Sequence, residues 1–270
     1  MTELLTGPAT DFDRTTALVP IEGRDGAFAV DLDAGWSSLV GIHGGYLCAV
    51  AVTGAERFVP GRSVRTTTTS FLRIGRPGPA ELVLTGVRQG RSFSTVVADV
   101  VQRGRILVTS RLTLADERSG TEWAEQRPLD LPPPEACVPF VPPLEQLRNF
   151  ARFELRFDPA RLPFDVDRAR TTGYVRPLEP RPVDAAWLAM ASDAFPPPAF
   201  ARLEPPAGGV SVDLTTHVHR TGPALAEGEW LVGDFEIRNS AGGLAVEHGR
   251  ITDTSGTLLA ESFQTRLVTA

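Results

Sequence analysis

The strongest constraint on this chain is an internal repeat. Two stretches of similar length, each an apolar helical pattern followed by a run of strand patterns, flank a proline-rich segment. Between positions 127 and 143 stand Pro128, Pro132, Pro133, Pro134, Pro139, Pro142 and Pro143. Proline has no amide donor and a fixed φ, so this density excludes helix and interior strand and predicts an extended linker. In the first half, Ala27–Leu32 alternates apolar and polar residues as a strand does. Residues 43–58 carry Tyr46, Leu47, Val50 and Ala51 at helical spacing in an almost wholly apolar setting, which predicts a helix buried on most sides. The β-branched runs 64–73, 81–89, 92–103 and 106–114, divided by Gly-Pro and Gly-Arg turns, predict an antiparallel meander.

The second half repeats this order. Phe153–Phe157 and 171–176 read as strands, and 183–195 as a short apolar helix stopped by Pro196, Pro197 and Pro198. The runs 210–220, 229–239, 245–253 and 257–268 again read as strands. The halves overlay directly. SFLRIG at 70–75 matches HVHRTG at 217–222, ELVL at 81–84 matches EWLV at 229–232, and GRILVTSRLTL from 104 matches GTLLAESFQTRL from 256. A buried helix followed by an antiparallel sheet, twice, describes a tandem (double) hotdog. This is an α+β fold in which two antiparallel sheets each wrap a central helix. The expected layout is an N-terminal hotdog repeat over residues 1–116, a Pro-rich linker over 117–150 and a C-terminal hotdog repeat over 151–270.

Composition narrows the chemistry. All 27 basic residues are arginine, so Schiff-base chemistry, a P-loop lysine and a kinase lysine are excluded. The net charge of −6 argues against binding to a nucleic-acid backbone. Two cysteines, Cys48 and Cys137, are too few for a disulfide framework or a cysteine-rich zinc site, which fits a reducing, cytoplasmic setting. No apolar run is long enough for a membrane span, and the start, MTELLTGPATDFDR, lacks the pattern of a secretory signal. No Gly-x-Ser-x-Gly elbow is present, so a serine-hydrolase triad is not supported.

Two polar residues stand where the pattern calls for apolar ones, and a third opens a strand. Asp193 closes an otherwise apolar helix, at the end where the helix dipole favours cations. It is an exposed last-turn residue, a cap partner for the loop before Pro196, or a buried carboxylate with a task. Gln264 takes the place of core-facing Leu112 when the repeats are overlaid: either the strand end is frayed and Gln264 touches solvent, or the broken symmetry marks a site kept in only one copy. Ser211 opens the strand after the second helix, a common place for a turn residue. Alternation places Ser211 on one strand face with Asp213, Thr215, His217 and His219, and Val212, Leu214 and Val218 on the other. His217 and His219 lack a third ligand at suitable spacing, so no metal is expected. His43, Gly44 and Gly45 open the first helix, where free N–H groups and close backbone approach suit an oxyanion hole.

These residues resemble a known family. GIHGGY at 41–46, ASD at 191–193, SVDLTTHVHR at 211–220, GEWL at 228–231 and DTSGTLLAESFQ at 253–264 look like the double-hotdog acyl-CoA thioesterases of thioesterase II type, as found in GC-rich bacteria. The resemblance covers nearly the whole chain. It implies hydrolysis of an acyl thioester, acyl-CoA or an acyl-carrier thioester, by direct attack of water and without a cofactor. It also implies that Asp193 orients and activates the water, that Gln264 shares it, and that Ser211 stands in for a family threonine. Asp213 and His219 match family positions too, which leaves them a role in ordering the site. CoA phosphates would meet surface arginines, and a homo-oligomer is expected because hotdog sheets leave edges and outer faces that need covering. Two alternatives stay open at this stage. One is a hotdog enoyl-thioester hydratase, although the second helix start, Pro182-Val183-Asp184, lacks the histidine of that motif. The other is a non-catalytic acyl-binding protein.

Overall fold

The structure is a computed structural model and describes residues 9–125, 128–163, 168–203, 208–221, 224–225 and 229–269. The first eight residues, on which part of the signal-sequence reading rests, and Gly222 and Gly228 of the motifs lie outside the described residues.

The N-terminal half runs α1 (Asp11–Thr15), β1 (Val19–Pro20), β2 (Ala27–Leu32), α2 (Gly44–Phe58), β3 (Ser63–Phe71), β4 (Gly78–Gln89), β5 (Phe93–Gln102) and β6 (Arg105–Ala115). After β7 (Val138–Pro139), the C-terminal half runs β8 (Phe153–Phe157), β9 (Arg170–Pro177), β10 (Arg181–Pro182), α3 (Ala185–Ala191), β11 (Gly208–Val218), β12 (Ala224–Leu225), β13 (Leu231–Ala241), β14 (Leu244–Asp253) and β15 (Leu258–Thr269). Among the described residues, β10 and β12 form a small ladder of their own and the other strands form one antiparallel sheet. Its order is β1-β2-β4-β5-β6-β3-β11-β15-β14-β13-β9-β8-β7.

That order is symmetric about the β3–β11 junction. There Thr215 lies opposite Thr68, Asp213 opposite Ser70 and His217 opposite Thr66, the register expected of a two-fold axis between equivalent strands. Both halves also carry a β-bulge at the same place, after Val64 in β3 and after Ser211 in β11. The chain is thus a double hotdog, with α2 and α3 packed on each other and covered by the sheet. The apolar faces of α2 and the whole of α3 are buried, as the sequence pattern requires. Stacking of Trp36 on Tyr46, with Phe12 meeting both Trp36 and Trp187 edge-on, ties the N-terminal segment to both helices.

Two details differ from the sequence expectation. The second helix spans only Ala185–Ala191, not 183–195. Asp184 caps it by accepting from the Trp187 N–H at 2.8 Å, and the chain turns at Ser192 ahead of the three prolines, which cannot continue a helix. The proline-rich segment also packs against the sheet. Its β7 pairs with β8 at the sheet edge, where proline is tolerated. Leu129 and Leu131 pack on a small cluster of Cys137, Tyr174, Trp230 and Val232, and Tyr174 Oη donates to the Pro132 carbonyl at 2.9 Å.

Candidate active site

The site is assembled where the N-terminus of α2 meets the turn that ends α3. Asp193 lies two residues past the helix, with its N–H donating to the Met190 carbonyl at 3.0 Å. Its side chain is nearly closed off from solvent and accepts its two shortest bonds from other elements. Gly45 N–H donates to Oδ2 at 2.9 Å, and Gln264 Nε2 donates to Oδ1 at 2.9 Å. The sequence placed Asp193 as a helix-end carboxylate. The structure turns it inward, between the two repeats.

Gln264 sits on the buried face of β15 and is 1% exposed. Its Nε2 also donates to Ser211 Oγ at 2.6 Å. Asp193, Gln264 and Ser211 thus form one chain of contacts drawn from a turn and two strands. The bulge makes this possible. Ser211 lies opposite Arg266 and Asp213 opposite Thr265, so Val212 is the extra residue and the side-chain alternation inverts across it. This corrects the simple alternation: Ser211 does not share a face with Asp213, Thr215, His217 and His219. It points inward with Leu214, Thr216 and Val218, and Val212 is exposed rather than packed with Leu214 and Val218. The other four stay outside the site. Asp213 Oδ1 accepts from Thr265 N–H, Thr215 bonds Thr68, His217 bonds Thr66, and His219 pairs with Glu261 at 3.1 Å.

His43 is the N-cap of α2, its Nδ1 accepting from the Tyr46 N–H at 3.3 Å. That bond leaves the ring proton on Nε2, which lies 2.8 Å from the Asp193 carbonyl and 3.4 Å from Asp193 Oδ2. Both ring nitrogens are therefore committed to the protein. The two glycines differ in what they offer. Gly45 N–H is taken by Asp193, which corrects the expectation of a free donor there. Gly44 N–H carries no bond among the described residues, and Gly44 is partly exposed. Side chains have no room at either position. A Cβ at Gly45 would lie 2.6 Å from the Met190 carbonyl oxygen, and one at Gly44 would lie 2.9 Å from Asp193 Oδ2 and from Phe71.

The sequence reading passed over Arg266 and Glu247, both buried beneath the site. Arg266 Nε donates to Glu247 Oε2 at 2.8 Å, and its Nη2 donates to Gln264 Oε1 at 2.7 Å. Nη2 also reaches Asp193 Oδ1, and Nη1 reaches Ser211 Oγ, both at 3.4 Å. The signal was present in the repeat, because Arg266 overlays Leu114 just as Gln264 overlays Leu112. Strand register extends the comparison. Ser211 pairs with Arg266 as Val64 pairs with Leu114, and Gln264 pairs with Glu247 as Leu112 pairs with Val96. The four polar residues of one repeat thus replace Val64, Leu112, Leu114 and Val96, all buried, in the other.

Charge follows this geometry. Burial alone would raise the Asp193 carboxyl, but the His43 Nε2–H beside it, Arg266, Gln264 and the Gly45 N–H outweigh it and hold the group below its ordinary value. Burial also works against the Arg266 charge, yet Glu247 and Asp193 keep the guanidinium protonated above its usual range. The Glu247 carboxyl is pushed up by burial despite its bond to Arg266.

A tandem hotdog with an acid, an amide and a hydroxyl gathered where its two helices meet is the architecture of a thioester-processing protein. The chain belongs to the acyl-CoA thioesterase family: the N-terminal domain of that family matches residues 32–115 and the C-terminal domain matches residues 128–268. Solved structures agree in fold. A hot dog fold protein from Alicyclobacillus acidocaldarius superposes with a TM-score of 0.85 at 25% identity, covering 96% of this chain and 98% of the other. The acyl-CoA thioesterase II TesB2 from Mycobacterium marinum gives 0.76 at 23% identity, covering 96% and 98%. A TesB protein from Mycobacterium avium subs paratuberculosis gives 0.77 at 23%, again covering 96% and 98%. No curated protein gives a significant match.

Proposed function

We propose that this thioesterase hydrolyses acyl-CoA by direct attack of a water held between Asp193 and Ser211. The observation that carries the reading is the convergence of Asp193, Gln264 and Ser211 at 2.9 and 2.6 Å, with Gln264 and Ser211 standing where the other repeat has Leu112 and Val64. Both hydrogens of Gln264 Nε2 are used on these two partners. Gln264 therefore fixes the distance between a carboxylate that can take a proton and a hydroxyl whose own hydrogen remains free. The thioester carbonyl oxygen would rest on the Gly44 N–H at the positive end of α2, which stabilises the charge that develops there. Water oxygen bonds to the carbonyl carbon and its proton goes to Asp193. The C–S bond then breaks, and the proton passes to the departing thiolate. A hydratase reading finds less support, because neither nitrogen of His43 is free to exchange a proton with an enoyl substrate. In this reading the enzyme works in the cytoplasm as an oligomer of double-hotdog units.

The test is turnover of a series of acyl-CoA esters, followed by release of free thiol. Asp193→Asn keeps volume and packing and should lower kcat by roughly 10²–10⁴-fold, the range for a lost general base. Gln264→Leu copies Leu112 of the other repeat and should be inactive yet folded. Full activity in both variants sinks the reading.

A further inference from the structure

We propose that the buried Arg266–Glu247 pair is a positioning device that fixes which end of the Gln264 amide faces the reaction and holds Asp193 free to act. The inference rests on the hydrolytic reading above and adds two residues to it.

A carboxamide fits its place almost equally well in two orientations, so something must select one. Arg266 is a donor only. With Nη2 donating to Gln264 Oε1 at 2.7 Å, a flipped amide would set its NH2 against the guanidinium and its oxygen against the Asp193 carboxylate. The observed orientation is thereby the one that delivers Nε2 to Asp193 and Ser211. Glu247 has the complementary task. A buried guanidinium facing a lone carboxylate would form a direct ion pair with Asp193 and tie up its oxygens. Glu247 instead takes Nε at 2.8 Å and Nη2 at 3.2 Å, and Asp193 is left with the longer contact at 3.4 Å. Neither residue is needed to build a hotdog core, since the equivalent strands of the other repeat fill these places with Leu114 and Val96 at full burial. A charged pair kept where an apolar pair demonstrably fits is there for something other than packing.

The decisive variant copies the apolar repeat: Arg266→Leu together with Glu247→Val. It should fold as well as the parent, because isosteric apolar replacement of a buried ion pair is commonly neutral or stabilising. Its kcat should fall by roughly 10–100-fold, as when a group that orients a functional side chain is removed, with KM within about threefold. The acid limb of kcat/KM should also move to higher pH. The groups facing Asp193 are His43 and Cys48 from the α2 side, Arg266 on β15 and Glu247 on β14. Arg266 reaches Asp193 Oδ1 at 3.4 Å and favours its charged form, so Asp193 loses net stabilisation of its charge when the pair is removed. Arg266→Lys keeps a positive charge but not the planar fork, and should lower kcat with little movement of the acid limb. Wild-type kcat and pH profile in the double variant overturn the proposal, and so does wild-type kcat in Arg266→Lys should the double variant fail to fold. Asp193→Asn and Gln264→Leu are measured alongside. If they are inactive while the double variant is fully active, only the positioning role falls. If they are fully active, the hydrolytic reading falls and takes this inference with it.

Discussion

Arg266 shows how a single residue can be indispensable to a core that does not require it. Removing it alone by Arg266→Leu leaves Glu247 buried and unpaired, which should cost about 3–5 kcal/mol, whereas the double change with Glu247→Val should be close to neutral. Urea unfolding of Arg266→Leu, Glu247→Val and the double variant measures the coupling directly. A second residue-scale prediction concerns acid. Asp193 and Asp234 are both held below the ordinary carboxylate value; for Asp234, burial is outweighed by Arg170, Arg250 and Thr172. A depressed folded-state value means stability that is fully present above the unfolded value and lost as pH falls through the folded one. Thermal stability should therefore hold down to about pH 4, near the ordinary carboxylate value, and decline below it. Asp234→Asn should lower stability at neutral pH and flatten that decline; a titration curve parallel to the parent's would contradict the assignment.

At the scale of elements, the site depends on how closely the start of α2 approaches the end of α3. Gly45 permits that approach and also supplies the N–H that holds Asp193 Oδ2. In Gly45→Ala the new methyl meets a backbone carbonyl that cannot swing aside, so the helix ends must separate. Overpacking of this kind should destabilise by about 1–3 kcal/mol and reduce kcat together with it. Gly86→Ala, whose added carbon meets nothing nearer than 3.6 Å, is the control. Wild-type activity in Gly45→Ala would show that the helix junction does not set the geometry of Asp193. The bulges are the other element-scale device. Val64 and Ser211 are both turned inward by one, so an insertion shared by the repeats became useful in only one of them.

Over the whole molecule, the asymmetry of the inner face has a counterpart outside. Val210, Val212, Val246 and Phe263 lie partly exposed on the outer face of the C-terminal sheet, where the equivalent N-terminal positions hold Ser63, Arg65, Thr95 and Arg111. Apolar residues at these four positions in one half, against polar counterparts in the other, suit contact with another copy of the chain. Light scattering at micromolar concentration should give a mass above that of one chain. Phe263→Arg with Val246→Thr, which copies the other repeat, should return it to single chains; a parent that is already monomeric would refute the expectation.

The sequence by itself determined the repeat, the order of helix and strands in each half, and the break in symmetry at Gln264. These follow from periodicity and from aligning one half on the other, which are local properties of the chain. It also held the Leu114-to-Arg266 exchange in plain sight, but an arginine near a chain end reads as a surface residue until its burial is known. Tertiary structure decided the rest. A bulge is invisible to alternation because one unpaired residue leaves no mark on composition, and only strand register turns Ser211 inward and Asp213 outward. Whether the Gly45 N–H is free for substrate or taken by Asp193 depends on a contact between residues 148 positions apart. The position of Glu247 under the site required three strands to be set side by side, and pairing between strands is a property of the folded sheet that no single segment encodes.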